Sequence, residues 1–139
     1  MLEYKDVIAL LITVFSYLIG GWDTTLRVLL ILMSLDVISG MYKAWIMGIF
    51  QSKEFRQGLL TKSGFFLVLI LAYQMDLMMG NAEPVIRTIT AMFYIGVEGT
   101  SLLENLGAIG VPIPKFIRKR LKVFQDNADE GAQIQEQSA

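Results

Sequence analysis

Four long apolar blocks alternate with short polar segments along this chain. The blocks cover residues 7–22, 24–50, 63–79 and 85–106. About twenty helical residues, rising about 1.5 Å each, cross the ~30 Å hydrocarbon core of a bilayer. The pattern therefore predicts an all-α integral membrane protein, in which residues 1–114 form a small bundle of about four transmembrane helices.

The first block is near the lower limit for a membrane span, so a cleaved signal peptide is the alternative interpretation. The segment before the block carries Glu3 and Asp6 beside a single Lys5, and no small-residue cleavage site follows it. A signal peptide instead begins with a basic region and ends at such a site. These features favour a retained helix, which leads into the second block with Asp23 or Thr24 as the N-cap.

The polarity of the chain changes near residue 114. The segment 107–114, GAIGVPIP, contains glycine and proline and is predicted to end the fourth helix. Residues 115–124 combine apolar side chains with basic ones, which predicts an amphipathic helix on an anionic membrane surface. Its basic residues are Lys115, Arg118, Lys119, Arg120 and Lys122. The polar segment 125–139 is predicted to be disordered.

Basic residues are distributed unequally between the two ends of the predicted bundle. Lys5, the connection 51–62 and the segment 115–122 fall at one end. The other end carries only Arg27 and Arg87, both slightly inside their helices. The positive-inside rule therefore places both termini in the cytoplasm.

The second block carries charged and small residues on one helical face. Asp36, Gly40, Lys43 and Ala44 are spaced i, i+4, i+7 and i+8, and Gly40, Ala44 and Gly48 form a row of small residues. A charge at the centre of a membrane costs about 2.5–3.5 kcal/mol on insertion scales, so it normally faces protein or water. Small residues let a second helix approach closely. This face is therefore predicted to contact other helices, and Asp36 to act in assembly or in lining a pore.

The fourth block carries a second polar face. Glu98, Ser101 and Asn105 are spaced i, i+3 and i+7, with Glu104 nearby. In one interpretation, Glu98, Ser101 and Asn105 hold packed helices together. In the other, Glu98 lines water with Asp36 and Lys43 once subunits assemble, and both are possible in one protein. Asp76 and Glu104 lie near helix ends, so we expect them in solvated interfacial positions.

Composition agrees with a membrane protein and argues against catalysis. The chain of 139 residues is 54% hydrophobic and 18% charged, whereas soluble domains average about 45–50% and about 25%. The absence of cysteine and histidine removes thiol chemistry, the usual neutral-pH proton shuttle and the commonest metal ligand. No nucleophile with a base, no metal-ligand cluster and no phosphate-binding glycine loop occurs. We therefore expect no enzyme activity, no cofactor and no nucleic-acid partner.

Three motifs in order resemble the toxin-secretion and phage-lysis holin family. They are D-V-I-S-G at 36–40 followed by Lys43 and Ala44, the S…G…K connection at 52–62, and E-x-x-S-L-L-E-N at 98–105 followed by G-V-P-I-P at 110–114. Order and spacing match from about Leu26 to Leu121. Val97 stands where the family usually has asparagine, and the extreme tail is acidic rather than basic.

The resemblance implies a small phage-encoded protein that accumulates in the bacterial host's cytoplasmic membrane. There it would form a homo-oligomer and open lesions in the lipid bilayer that release a muralytic enzyme (an endolysin) or a toxin. Two alternatives remain: a small channel or transporter subunit, and an anchor that recruits a partner through its basic tail. A holin passes macromolecules, a channel passes only ions and an anchor passes neither.

Overall fold

The computed structural model describes Met1 and residues 3–138, and its secondary structure is entirely helical in that part of the chain. The helices are α1 (Tyr4–Ile19), α2 (Thr24–Ile46), α3 (Ser52–Met79), α4 (Val85–Ala108) and α5 (Lys115–Ser138). The predicted all-α class is confirmed.

Two helices, α2 and α3, are long and apolar enough to cross a membrane, judged by length and composition. A core helix of a soluble protein passes the same test but is mostly buried. Here only 28% of the most apolar stretch of α2 is buried, and only 11% of that of α3. Their exposed apolar surface is compatible with a membrane protein, and the predicted count of four spans stays a prediction.

The helices differ from the predicted blocks at several ends. The second block was predicted to continue to residue 50, but α2 ends at Ile46. Gly48, with φ +66°, closes the turn, in which the Ile49 N–H donates to the Ala44 carbonyl oxygen at 2.9 Å. This left-handed conformation suits glycine because it has no Cβ. Gly48 therefore lies outside the helical row predicted with Gly40 and Ala44.

The polar segment 51–62 was predicted to be a connection, but it forms the first three turns of α3. It contains no proline, and Glu54 lies in the first turn, where a carboxylate complements the helix dipole. The first helix is likewise shifted toward the N-terminus, because Asp6 accepts a hydrogen bond from the Glu3 N–H at 3.0 Å and starts the helix early. It ends at Gly20, with φ +83°.

Helix α4 is the centre of the bundle and packs against α2, α3 and α5. Helices α2 and α4 run parallel, with α3 antiparallel to both. The apolar core lies among the first four helices, and its buried members are Ile19, Leu26, Leu29, Met33, Leu69, Ala91 and Ile95.

Helix α1 packs mainly on α3. Phe15 contacts Phe66 with ring centroids 5.7 Å apart, and Gly20 lies against the ring of Tyr73. A Cβ added at Gly20 would lie 2.4 Å from that ring. Glycine is therefore required there both by the close approach and by the left-handed backbone.

Helix α5 differs most from its prediction. The amphipathic helix expected at 115–124 is present, but it continues to Ser138, so residues 125–138 are helical rather than disordered; Ala139 lies outside the described residues. It also packs antiparallel along α4 instead of lying apart from the bundle. Helical spacing places Leu121, Gln125, Ala128 and Gly131 on one side, and α4 provides a partner for that side.

Candidate functional site

Charged side chains from three helices meet inside the bundle. We call Asp36 of α2, Lys62 of α3, and Glu98 and Asn105 of α4 the ionic cluster. Lys62 Nζ lies 2.8 Å from Asp36 Oδ2 and also donates to the carboxylate of Glu98. Asn105 Nδ2 donates to Asp36 Oδ1 at 2.9 Å. One lysine therefore bridges two carboxylates, and the amide of Asn105 orients one of them.

The ionic cluster is shielded from solvent but electrically balanced. Glu98 is 1% exposed and Asp36 is 8% exposed. Lys43 Nζ approaches Asn105 Oδ1 at 3.3 Å, so two lysines accompany the two carboxylates. Every buried side-chain nitrogen or oxygen in the described residues has a hydrogen-bond partner. Such pairing is required because a buried charge without a partner is strongly destabilising.

Helical spacing brings these groups together. Asp36, Ser39 and Lys43 share one face of α2, and Asn105 Nδ2 also donates to Ser39 Oγ at 3.2 Å. Gly40 lies beneath this amide, because a Cβ added there would be 3.4 Å from Asn105 Nδ2. A large side chain at this position would displace Asn105 from the carboxylate that it orients.

An open cavity of about 280 Å³ leads from the α2–α3 turn to the ionic cluster. Its lining includes Asp36, Lys43 and Lys62, with Glu54 and Phe50 at the turn. This volume is large enough for several waters, and its polar groups are able to bind them. The cluster therefore lies next to an open, partly polar cavity at one end of the bundle.

The structure brings together some of the residues predicted for this site. Asp36, Lys43, Glu98 and Asn105 lie in one network, whereas Gly40 and Ala44 line the adjoining cavity. Ser101 takes no part in this network among the described residues, and Glu104 is exposed. The basic residues predicted at a membrane surface are exposed on α5: Lys115, Arg118, Lys119, Arg120 and Lys122. The roles of all these residues in assembly, pore lining or surface binding stay predictions.

Lys62 was not predicted as a site residue. It was predicted to lie in a polar connection, because the residues before it are hydrophilic and the third apolar block begins at residue 63. The sequence did contain a signal for such a lysine, because two carboxylates predicted at membrane depth require nearby cations. Lys62 also belongs to the S…G…K motif, which the resemblance had already singled out.

A second polar group lies at the opposite end of the bundle and consists of the buried Asp76 and Arg87 and the partly exposed Asp23, which we call the turn clamp. Arg87 is 2% exposed. Its Nη1 donates to the carbonyl oxygens of Ile19 at 2.6 Å and Gly20 at 2.9 Å, and its Nη2 pairs with the Asp23 carboxylate. The guanidinium thus satisfies carbonyl groups that the end of α1 leaves without helical partners.

Asp76 holds the start of α4 in the turn clamp. Its carboxylate accepts the backbone N–H groups of Ile86 and Arg87, each at 2.9 Å, and the side-chain amide of Asn81 at 2.8 Å. The prediction of a solvated Asp76 was therefore wrong, since the side chain is 1% exposed. Of the two residues predicted as the N-cap of α2, Asp23 is the one that caps it, by accepting the Leu26 N–H at 2.9 Å.

Comparisons with known proteins give a consistent family. Residues 13–126 match the model of the bacteriophage holin family. A probable holin of Bacillus phage phi105 is 37% identical over 114 residues, which cover 82% of this chain and 84% of that protein. An uncharacterised protein of Clostridium perfringens strain 13 is 39% identical over 115 residues, or 79% of this chain and 82% of that protein. No solved structure matches the chain.

The matched region runs from within α1 to within α5, so it contains both the ionic cluster and the turn clamp. The motif residues Asp36, Lys62, Glu98 and Asn105, which are separate in sequence, are joined in the structure by direct hydrogen bonds and ion pairs. The resemblance to phage holins is confirmed, and the chain belongs to the bacteriophage holin family.

Proposed function

We propose that this protein is a non-enzymatic holin that oligomerises in the cytoplasmic membrane of a bacterial host. Its oligomers open lesions that release a muralytic enzyme or a toxin. The observation that carries the proposal is the ionic cluster, which is a charged interior in a bundle whose helices α2 and α3 expose apolar side chains. Large exposed side chains of α2 and α3 include Ile31, Ile38, Leu67 and Leu71. A polar interior with an apolar exterior is suited to a protein that surrounds water within a membrane.

The ionic cluster gives the chain two ways to satisfy the same charges. In the single chain, Asp36, Lys62 and Glu98 pair with one another between three helices. If the helices separate, the same groups need water or a second copy, because lipid does not solvate them. Opening of the bundle therefore favours assembly around water, and this connects the fold to lesion formation.

The proposed topology has four spans, α1 to α4, with both termini in the cytoplasm. Its support is the turn clamp, in which Arg87 at the start of α4 binds carbonyl groups of the α1–α2 turn. The α1–α2 and α3–α4 turns thus share one end of the bundle, as an up-and-down arrangement of four spans requires. The first turns of α3, near Lys53, and the basic part of α5 lie at the other end. The positive-inside rule assigns that end to the cytoplasm.

The function is tested by expressing the full chain in a bacterium and measuring which solutes leave the cell. We expect a cytoplasmic reporter protein to appear in the medium after a delay. Leakage of ions without reporter protein would instead support a channel. Retention of both solutes, with the protein present in the membrane fraction, would support an anchor.

Asp36→Leu is expected to accumulate in the membrane but to release at least about tenfold less reporter protein than wild type. Leucine removes both the partner of Lys62 and the acceptor of Asn105. Asp36→Asn should keep part of the activity, because an amide still forms hydrogen bonds across helices. Ser34→Leu is the matched control, since Ser34 lies exposed on the same helix and bonds only to the Leu30 carbonyl. Equal release by Asp36→Leu and Ser34→Leu would exclude a role for the carboxylate.

The topology is tested with single cysteines, because the chain has none of its own. Asn81→Cys in the α3–α4 turn should react with an impermeant maleimide added to intact cells. Gln137→Cys near the end of α5 should react only after the cells are opened. Labelling of both positions from one side would contradict four spans with a cytoplasmic C-terminus.

A further inference from the structure

Helix α5 lies antiparallel along nearly the whole of α4. Near one end, the side chain of Arg118 approaches Gly107, and near the other end Gly131 lies against Ile89. Between these points Leu121 lies against Gly99. Helix α5 therefore covers a face of α4 from one end of the bundle to the other.

The fit between the two helices is close. A Cβ added at Gly96 would lie 2.2 Å from Gln125 Cγ, and one added at Gly99 would lie 2.7 Å from Leu121 Cδ2. Ala128 of α5 is 2% exposed. The contact thus depends on small residues in both helices, and it removes an entire strip of α4 from its surroundings.

This position is incompatible with a membrane environment around α4. Helix α5 carries charged residues along the whole of its contact with α4: Arg118, Lys119, Arg120, Lys122, Asp126, Asp129 and Glu130. Lys122 and Asp126 follow Leu121 and Gln125, which contact the middle of α4, and both charged side chains are exposed. Charged side chains that face hydrocarbon are strongly disfavoured. Arg87 and Glu98 of α4 avoid this cost because they are buried and paired within the bundle, but the exposed charges of α5 do not.

We infer that α5 is a strap that has to leave α4 before α4 crosses the bilayer. The inference rests on the proposed function, in which α4 is a transmembrane helix. The strapped form is the compact chain described above, with α4 covered. In the released form, α5 turns at the breaker segment 109–114 and places its exposed basic residues on the anionic cytoplasmic leaflet. Insertion of α4 and docking of α5 on α4 exclude each other.

A disulfide across the two helices tests the strap. The pair Ile89→Cys and Gly131→Cys suits a crosslink, because a Cβ at Gly131 would lie 3.4 Å from Cγ1 and 3.9 Å from Cγ2 of Ile89, the two carbons bonded to the Ile89 Cβ. Disulfides require Cβ atoms about 3.5–4.5 Å apart. The full chain is purified, oxidised or reduced, and added to vesicles of anionic phospholipid that contain fluorescent dextran. The two single-cysteine variants, treated identically, control for effects of oxidation.

Insertion of α4 is measured separately from dextran release. Phe93→Trp, in a chain that also carries Trp22→Phe and Trp45→Phe, places a single tryptophan on the outer side of α4, where Phe93 is 39% exposed. Lipids brominated in their acyl chains quench this fluorescence only if the residue reaches the hydrocarbon. Comparison with unbrominated lipids removes any quenching by the disulfide itself.

The reduced chain should be quenched at least about twofold, the oxidised chain should not be quenched, and reductant added to the oxidised sample should restore quenching. Equal quenching of both forms would overturn the strap, because α4 would then enter the membrane with α5 attached. Absence of quenching in the reduced chain would overturn it as well, because release of α5 would not lead to insertion. If the reduced chain is quenched and the oxidised chain is not, but no dextran is released, the inference about the strap is supported and the proposed function is contradicted.

Discussion

Lys62→Met is expected to destabilise the protein by about 3–5 kcal/mol, the cost that is typical of removing one partner from a buried ion pair. The change leaves the carboxylates of Asp36 and Glu98 close together and buried, without the ammonium group that bridges them. The side chains of lysine and methionine are similar in length, so the loss of packing is small. The measurement is the free energy of unfolding in detergent micelles, followed by helical circular dichroism as denaturant is added.

Two variants show whether this loss comes from charge. Lys53→Met changes an exposed lysine on the same helix and should leave stability within about 0.5 kcal/mol of wild type. Adding Asp36→Asn and Glu98→Gln to Lys62→Met removes both unpaired charges and should recover most of the lost stability. If Lys62→Met is as stable as Lys53→Met, the bridge seen in the structure does not hold the three helices together.

Arg87→Met is expected to cause a loss of similar size, at the other end of the bundle. The guanidinium is 2% exposed and satisfies carbonyl oxygens of Ile19 and Gly20 together with the carboxylate of Asp23. Its removal leaves the carbonyl oxygens of Ile19 and Gly20 without this donor, at about 1–3 kcal/mol for each buried neutral group, whereas the Asp23 side chain is 41% exposed and adds little. Helix α1 should loosen most, because apart from these bonds and the burial of Ile19 it packs mainly on α3.

Limited proteolysis at the α1–α2 turn, combined with the unfolding measurement, detects this loosening. Arg27→Met is the control, since Arg27 is exposed one turn into α2. Arg87→Lys should recover little, because an ammonium group does not reproduce the planar set of donors that reaches two carbonyls and a carboxylate. Wild-type resistance to protease in Arg87→Met would show that α1 is held without the turn clamp.

Some of the candidate site was predictable because it depends on short-range spacing. Asp36 and Lys43 share a helical face in any helix that contains both, and so do Glu98 and Asn105. The cost of placing their charges in an apolar block made contact with other helices a sound expectation. Lys62 was missed because its polar neighbours lie outside the apolar blocks and were therefore predicted to be a connection. They form the exposed first turns of α3.

Asp76 and the second half of α5 were predicted wrongly for a different reason. Asp76 lies near a helix end, where solvent exposure is the usual outcome, yet three N–H donors from the turn and from α4 surround it. The residues after 124 have a polar composition that is typical of disorder, but α4 presents a face onto which Gln125, Ala128 and Gly131 fit. Neither result follows from local composition, because in both cases the stabilising partner is distant in the sequence.

The amino-acid sequence by itself determined the helical class, the apolar segments, the two candidates for the N-cap of α2 and the resemblance to holins, because each of these depends on residues close together along the chain. The tertiary structure decided which lysine bridges the two carboxylates, which carbonyls Arg87 binds and where α5 packs. Those pairings join residues that are distant in sequence and depend on the relative positions of whole helices, which local hydrophobicity and spacing do not specify.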